Sequence, residues 1–276
     1  MRAICFTLCW LWISGLAWAT DWYPVEVLAD GVSQQYQPLS QAAKPWRICA
    51  LLPHGKDRYW WGVAWGLDQE ARRLGVRLGI YEAGGYEYAE VQVEQFEHCV
   101  AEGADAFVVA SINTYDLCHA ADVQIKAGRP VIDLVNRLEC PGLSAHSRVD
   151  FADMTRATLK YLVRVSEGRP IQVGWLPGPA DAGWVQDAER GLRDALPGTR
   201  VNLIHGGYAP VDRSRQAQLA RGGVPHDFAL RRRKRRQDGA DLVGVDAPHA
   251  GVAQFTRGLV RGGLQCGQVL ELGDHA

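Results

Sequence analysis

The stretch WRICALLPHGKDRYWWGVAWGLDQEARRLGVRLGIYEA, residues 46–83, decides the fold. Its first part, WRICALLP (46–53), is short, apolar and closed by a proline, the pattern of a buried strand. After a polar loop the period changes. Residues 58–74 read as a helix, and VRLGIYEA (76–83) is a second apolar run. Strand, helix and strand in that order predict two parallel strands joined by a crossover helix.

The same alternation extends downstream. ADAFVVAS (104–111) and RPVIDLV (129–135) read as further buried strands, with helices over 88–102 and 115–127 that end in the stop signals AEGAD and KAGRP. The pattern then restarts: helix 151–166, strand RPIQVGWLPG (169–178), helix 184–196 and strand TRVNLIHGG (199–207). Two α/β lobes in series are expected, a first lobe over 45–147 and a partial second lobe over 148–220, with the change near 136–150.

Upstream, MRAICFTLCWLWISGLAWAT (1–20) has one basic residue, an apolar run and an A-x-A arrangement at Ala17 and Ala19. It reads as a signal peptide, 1–19, followed by an N-terminal extension, 20–44. The run is shorter than the ~20 residues a membrane span needs. The mature chain is therefore expected to be exported, periplasmic in a bacterium, and without a membrane span. Thirty basic against thirty-one acidic residues argue against general nucleic-acid binding.

Export makes the cysteines candidates for disulfides. Cys5 and Cys9 leave with the signal, and Cys49, Cys99, Cys118, Cys140 and Cys266 remain. A strand order of 2-1-3-4 would bring Cys49 near Cys99 and Cys118 near Cys140, leaving Cys266 over; free buried thiols are the alternative. No C-x-x-C or His/Cys spacing indicates a metal, and no cofactor motif is present.

Ligands of open α/β sheets bind outside the carboxyl ends of the strands. The loops there are PHGKDRYWW, EAGGYEY, SINTYD and, in the second lobe, PGPADAGW, and each carries an aromatic residue. Tyr59 and Trp60 are expected to line a pocket, Trp65 to pack against the sheet, and Tyr86, after Gly84 and Gly85, to stand on its rim. Asp57 suits either a pocket charge or a helix N-cap. A sugar site would instead use Asn113, Asp133, Asn136 and Arg148 as clamps. His54, His98, His119 and His205 are scattered, with no catalytic motif around them. A non-enzyme is expected, His54 being a rim or hydrogen-bonding residue.

Over roughly residues 44–219 the chain resembles the TorT family of periplasmic trimethylamine N-oxide sensors. The residues that carry the likeness are KPWRICALLPHGKDRYW, EARRLGV, EAGGY, PVIDLVN and PGPADAGW. The resemblance implies an α/β, type I periplasmic-binding-protein fold of two doubly wound parallel-sheet lobes. It also implies a receptor that binds trimethylamine N-oxide between the lobes and signals to the periplasmic domain of a TorS-like sensor histidine kinase. It places Asp57, Tyr59, Trp60, Tyr86, Phe151 and Trp184 at the ligand; the alternative is a solute receptor of an ABC importer for a sugar or other small polar molecule. Two departures stand out. Phe151 takes the place of a tryptophan that the family carries after its serine-arginine-valine run. Residues 221–276 form a Gly/Arg-rich tail, with the basic run 231–236, where the family continues its second lobe; this reads as a frameshifted end and an incomplete lobe.

Overall fold

The computed structural model describes residues 23–222 and a strand at 269–272. The expected signal peptide, the basic run 231–236 and Cys266 lie outside the described residues. The chain forms β1 (Val25–Ala29), β2 (Val32–Tyr36), β3 (Arg47–Leu52), α1 (Arg58–Leu74), β4 (Arg77–Glu82), α2 (Ala89–Ala101), β5 (Ala106–Val109), α3 (Cys118–Lys126), β6 (Val131–Val135) and β7 (Ala145–Arg148). These are followed by α4 (Phe151–Val165), β8 (Ile171–Trp175), α5 (Gly183–Ala195), β9 (Val201–His205), α6 (Arg213–Gly222) and β10 (Val269–Leu272).

The large sheet has the order β2-β1-β10-β7-β6-β5-β3-β4, and β8 and β9 pair in parallel as a small second sheet. Its run β4-β3-β5-β6 is parallel, in the 2-1-3-4 order expected. Two features were not legible. The segment read as an extension supplies the β1–β2 hairpin, and the four-residue strand Ala-His-Ser-Arg at 145–148 pairs in parallel with β6.

Local chemistry explains the regular elements. Asp57 caps α1 by accepting from Trp60 N at 3.0 Å, and Gly75 ends it at φ 73°, where the missing Cβ removes the left-handed penalty. The strands β3, β5 and β6 bury Leu51, Phe107, Val109 and Val131, which pack with Phe96 and Cys99 of α2 and with Leu117 and Ala121 around α3. Phe96 stacks on Phe107 at 4.5 Å between ring centroids. Buried Gln92 of α2 donates to Ala110 O and accepts from Ile112 N, which pins the loop after β5.

Trp65 corrects the sequence reading: it is 66 % exposed. The inward stripe of α1 runs through Trp60, Ala64, Leu67 and Ala71, whereas Trp65 shares the outer row with Trp61, Asp68 and Arg72. Trp61 is exposed as well, its indole donating to Gly55 O at 2.8 Å.

Disulfides join Cys49 of β3 to Cys99 of α2 and Cys118 of α3 to Cys140 in the loop after β6, with Cα separations of 6.2 and 5.0 Å. Both bonds belong to the apolar cluster packed on the parallel strands. α4 and α5 then pack against each other so closely that a Cβ on Gly191 would stand 2.1 Å from Ala152 O.

Candidate aromatic binding site

The carboxyl ends of β3, β4, β6 and β8 converge on a cluster of rings. Trp60, at the first turn of α1, is 4 % exposed and packs with Leu52, Ala110 and Val135. The His54 ring meets Trp60 at 6.2 Å and Tyr86 at 5.7 Å, both edge to face. Tyr86 meets Trp184 of α5 at 6.1 Å, and Trp184 meets Phe151, the first residue of α4, at 6.0 Å. Phe151 completes the circuit by packing against the Trp60 group. Tyr59 stands outside, 41 % exposed, with its ring perpendicular to Trp60 at 5.3 Å.

Hydrogen bonding defines what this cluster can do. Asn136, fully buried after β6, donates through Nδ2 to the Tyr86 hydroxyl at 3.0 Å and to Ser111 O at 2.9 Å. Tyr86 thus receives a hydrogen bond, and its own O–H remains to be donated. Burial raises the Tyr86 pKa far above the phenolic range, so this proton is retained. Beside it, the indole N–H of Trp184 is buried and faces the Tyr86 hydroxyl without closing a hydrogen bond. A buried donor without an acceptor costs about 1–3 kcal/mol. Val135, immediately before Asn136, adopts φ 62°, while Asn136 N donates to Leu134 O at 2.6 Å. A β-branched residue in that region stores about 1–3 kcal/mol of strain, here in the turn that aims Asn136 at Tyr86.

Asp57 is committed to capping α1, yet its charge also reaches the rings. It contributes to raising Tyr59, which burial chiefly pushes up to about 12. His54 is 4 % exposed, accepts from Lys56 N through Nδ1 at 3.3 Å, and is pushed below the usual histidine value mainly by burial. The folded protein therefore keeps His54 neutral while the unfolded chain takes up a proton below about pH 6.5. The stability this contributes is complete above that value and declines as pH falls from 6.5 towards the lower folded-state pKa. His54→Gln is expected to flatten this part of the profile, checked by urea midpoints between pH 5 and 8; an unchanged slope would assign it elsewhere.

Beside the rings lies a cavity of about 290 Å³ lined by His54, Lys56, Gly85, Tyr86, Glu87 and residues 210–212 and 215. It is formed from the loops after β3 and β4 and the segment that enters α6. Tyr86 is the residue shared by the cavity and the predicted ligand set; Asp57, Tyr59, Trp60, Phe151 and Trp184 do not line it. Lys56 and Glu87 pair across 3.9 Å at this mouth.

The proposed sugar clamps are placed differently. Asn113 Oδ1 accepts from Tyr115 N and Asp116 N, closing its own loop. Asp133 is fully buried and binds His146 Nδ1 at 2.8 Å, Arg148 Nε at 2.6 Å and Leu138 N at 3.1 Å. These two residues are consumed by the scaffold: Asn113 closes its own turn, and Asp133, in the middle of β6, is taken up by His146, Arg148 and the Leu138 amide. Sequence reasoning named His54 as a rim residue and Trp184 as a ligand residue; it did not show the contact of His54 with both Trp60 and Tyr86 or the unsatisfied Trp184 donor.

Among known proteins, the Escherichia coli K12 periplasmic protein TorT is 35 % identical over 165 residues, 59 % of this chain and 47 % of TorT. The chain spans about half the length of the curated relatives it matches. An ABC transporter solute binding protein from Bradyrhizobium sp. BTAi1, solved with bound bis-tris, is 35 % identical with a TM-score of 0.60, covering 90 % of this chain and 74 % of that one. The Caulobacter myo-inositol binding protein, at 17 % identity and TM-score 0.58, covers 73 % of this chain and 65 % of its own and shares the fold. No helix of the described residues is long and apolar enough to cross a membrane. With the family model matching residues 45–205, the chain belongs to the family of periplasmic binding proteins and sugar-binding domains of the LacI family.

Proposed function

We propose that this protein is a periplasmic receptor for trimethylamine N-oxide, held at the ring cluster between the lobes. The observation that carries this reading is the pair of buried donors, the unpartnered indole N–H of Trp184 and the free O–H of Tyr86, set among aromatic faces. An N-oxide presents one strongly accepting oxygen and three methyl groups on a cationic nitrogen. Its oxygen would satisfy both donors, its methyl groups would fill the apolar wall, and the ring quadrupoles and the nearby Asp57 charge would favour the nitrogen. The family tryptophan replaced here by Phe151 takes one indole donor away; Trp184 supplies another. Bis-tris, bound in the solved Bradyrhizobium protein, is itself a tertiary amine. The loaded receptor would then signal to the periplasmic domain of a TorS-like sensor histidine kinase.

Titration calorimetry tests the reading. Trimethylamine N-oxide is expected to bind the wild-type chain, and Trp184→Phe to weaken it by about tenfold or more, since hydrogen bonds to charged groups are worth about 1.5–3 kcal/mol. The same variant should melt at or slightly above the wild-type temperature, because the N–H it removes makes no well-formed hydrogen bond among the described residues. Equal affinity in the variant would overturn the assignment. The second reading, a solute receptor of an ABC importer, is favoured by the Bradyrhizobium relative. Its sugar form is weakened by the internal pairing of Asn113 and Asp133, and binding of a sugar with no response to trimethylamine N-oxide would select it.

A further inference from the structure

An ion-pair chain joins the loop after β6 to α5. Arg137 pairs with Glu139 on its own loop through Nη1 and reaches Asp187 Oδ1 of α5 at 3.2 Å through Nη2. The same Asp187 oxygen accepts from Arg190 Nη1 at 2.6 Å. The Arg137 and Asp187 side chains are 23 % and 10 % exposed, so solvent and salt screen this contact less than a surface pair. The first turn of α5 lies flush on the same loops: a Cβ on Gly183 would stand 3.1 Å from Thr114 Oγ1 and 3.2 Å from Arg137 O.

This contact is tied at both ends to the ring cluster. On one side Arg137 directly follows Asn136, which holds the Tyr86 hydroxyl. On the other, Asp187 lies one helical turn beyond Trp184, which faces Tyr86. The circuit Tyr86, Asn136, Arg137, Asp187, Trp184 and back to Tyr86 crosses between the lobes twice, once by an ion pair and once by ring contact. Separating the lobes breaks both crossings together. We propose that Arg137 and Asp187 are positioning residues, a latch whose closure sets the distance between the Tyr86 and Trp184 donors and hence the affinity of the pocket. The affinity arm of this inference rests on the function proposed above; the geometric arm does not.

Small-angle scattering of the ligand-free full chain reads the latch directly. Arg137→Ala and Asp187→Asn are expected to increase the radius of gyration, and Arg137→Lys, which keeps the charge between Glu139 and Asp187, to stay close to wild type. Arg137→Ala leaves Asp187 paired with Arg190, so the fold should survive, and a cooperative melt checks this. Trimethylamine N-oxide affinity should fall on the order of tenfold in Arg137→Ala and Asp187→Asn, within the usual range of coupling between sites, and be largely kept in Arg137→Lys. Arg137→Ala and Asp187→Asn variants that scatter and bind as the wild type does would overturn the latch. A scattering change in a protein that never binds trimethylamine N-oxide would uphold the latch and reject the ligand instead.

Discussion

Asp133→Ala is expected to destabilise the protein by about 3–5 kcal/mol, the range for removing one partner of a buried ion pair. Asp133 is fully buried, and its two oxygens serve His146, Arg148 and the Leu138 amide. Without the carboxylate, Arg148 keeps its bond to Leu138 O at 3.2 Å but its charge loses its counterpart, and the Leu138 amide has no acceptor. The location adds to the loss. β6 and β7 are where the chain leaves the large sheet, and Phe151 begins α4 three residues after Arg148. Urea unfolding should show the loss in full, while Asp133→Asn, which preserves shape and one acceptor, should lose less. A loss under 1 kcal/mol for the alanine variant would mean that Arg148 finds water or another partner.

Gly191→Ala should produce the second large effect, through backbone contact. In an open helix the exchange is worth up to about 1 kcal/mol in favour of alanine. Here the new methyl would meet the Ala152 carbonyl at 2.1 Å, a backbone atom that cannot rotate away, so α4 and α5 must separate. Overpacking of this kind costs about 1–3 kcal/mol and sometimes more. The clash wins, and a net loss of about 2 kcal/mol should lower the melting temperature by roughly 4–8 °C for a chain of this size. Gly62→Ala in α1 is the control: nothing lies within 4 Å of its Cβ position, so that variant should gain stability. Equal effects at the two sites would show that helix propensity, and not the α4–α5 contact, governs both.

What the sequence disclosed and what it concealed follow from the range of the forces involved. The span of α1 was legible, with Asp57 read as a possible cap because a cap acts on adjacent backbone; the stop at Gly75 shows in its φ of 73°. The buried parallel strands were legible because both faces need apolar side chains. β7 was not, since Ala-His-Ser-Arg has no apolar alternation and is held by its ladder with β6. Trp65 was misplaced because a tryptophan one turn from another resembles a core stripe, and only the sheet's position shows that the stripe runs through Trp60. Tyr59, Trp60, Tyr86 and Trp184 could be picked out as candidates from their loops, whereas Phe151 came only from the family resemblance. That Trp184 keeps an unpaired N–H, and that Arg137 meets Asp187 fifty positions away, depends on how the lobes fold onto each other.

The disulfides carry a consequence for the order in which the protein matures. Four cysteines can be paired in three ways, but here each bond joins neighbours along the chain, 49 with 99 and then 118 with 140. Neither loop encloses or interleaves with the other. A polypeptide that meets an oxidant amino terminus first can close each bond with the next thiol to emerge, reaching the final connectivity without reshuffling. Both bonds are complete by residue 140, so the sheet that supports Trp60, Tyr86 and Asn136 can be covalently set before the segment bearing Trp184 is delivered to it.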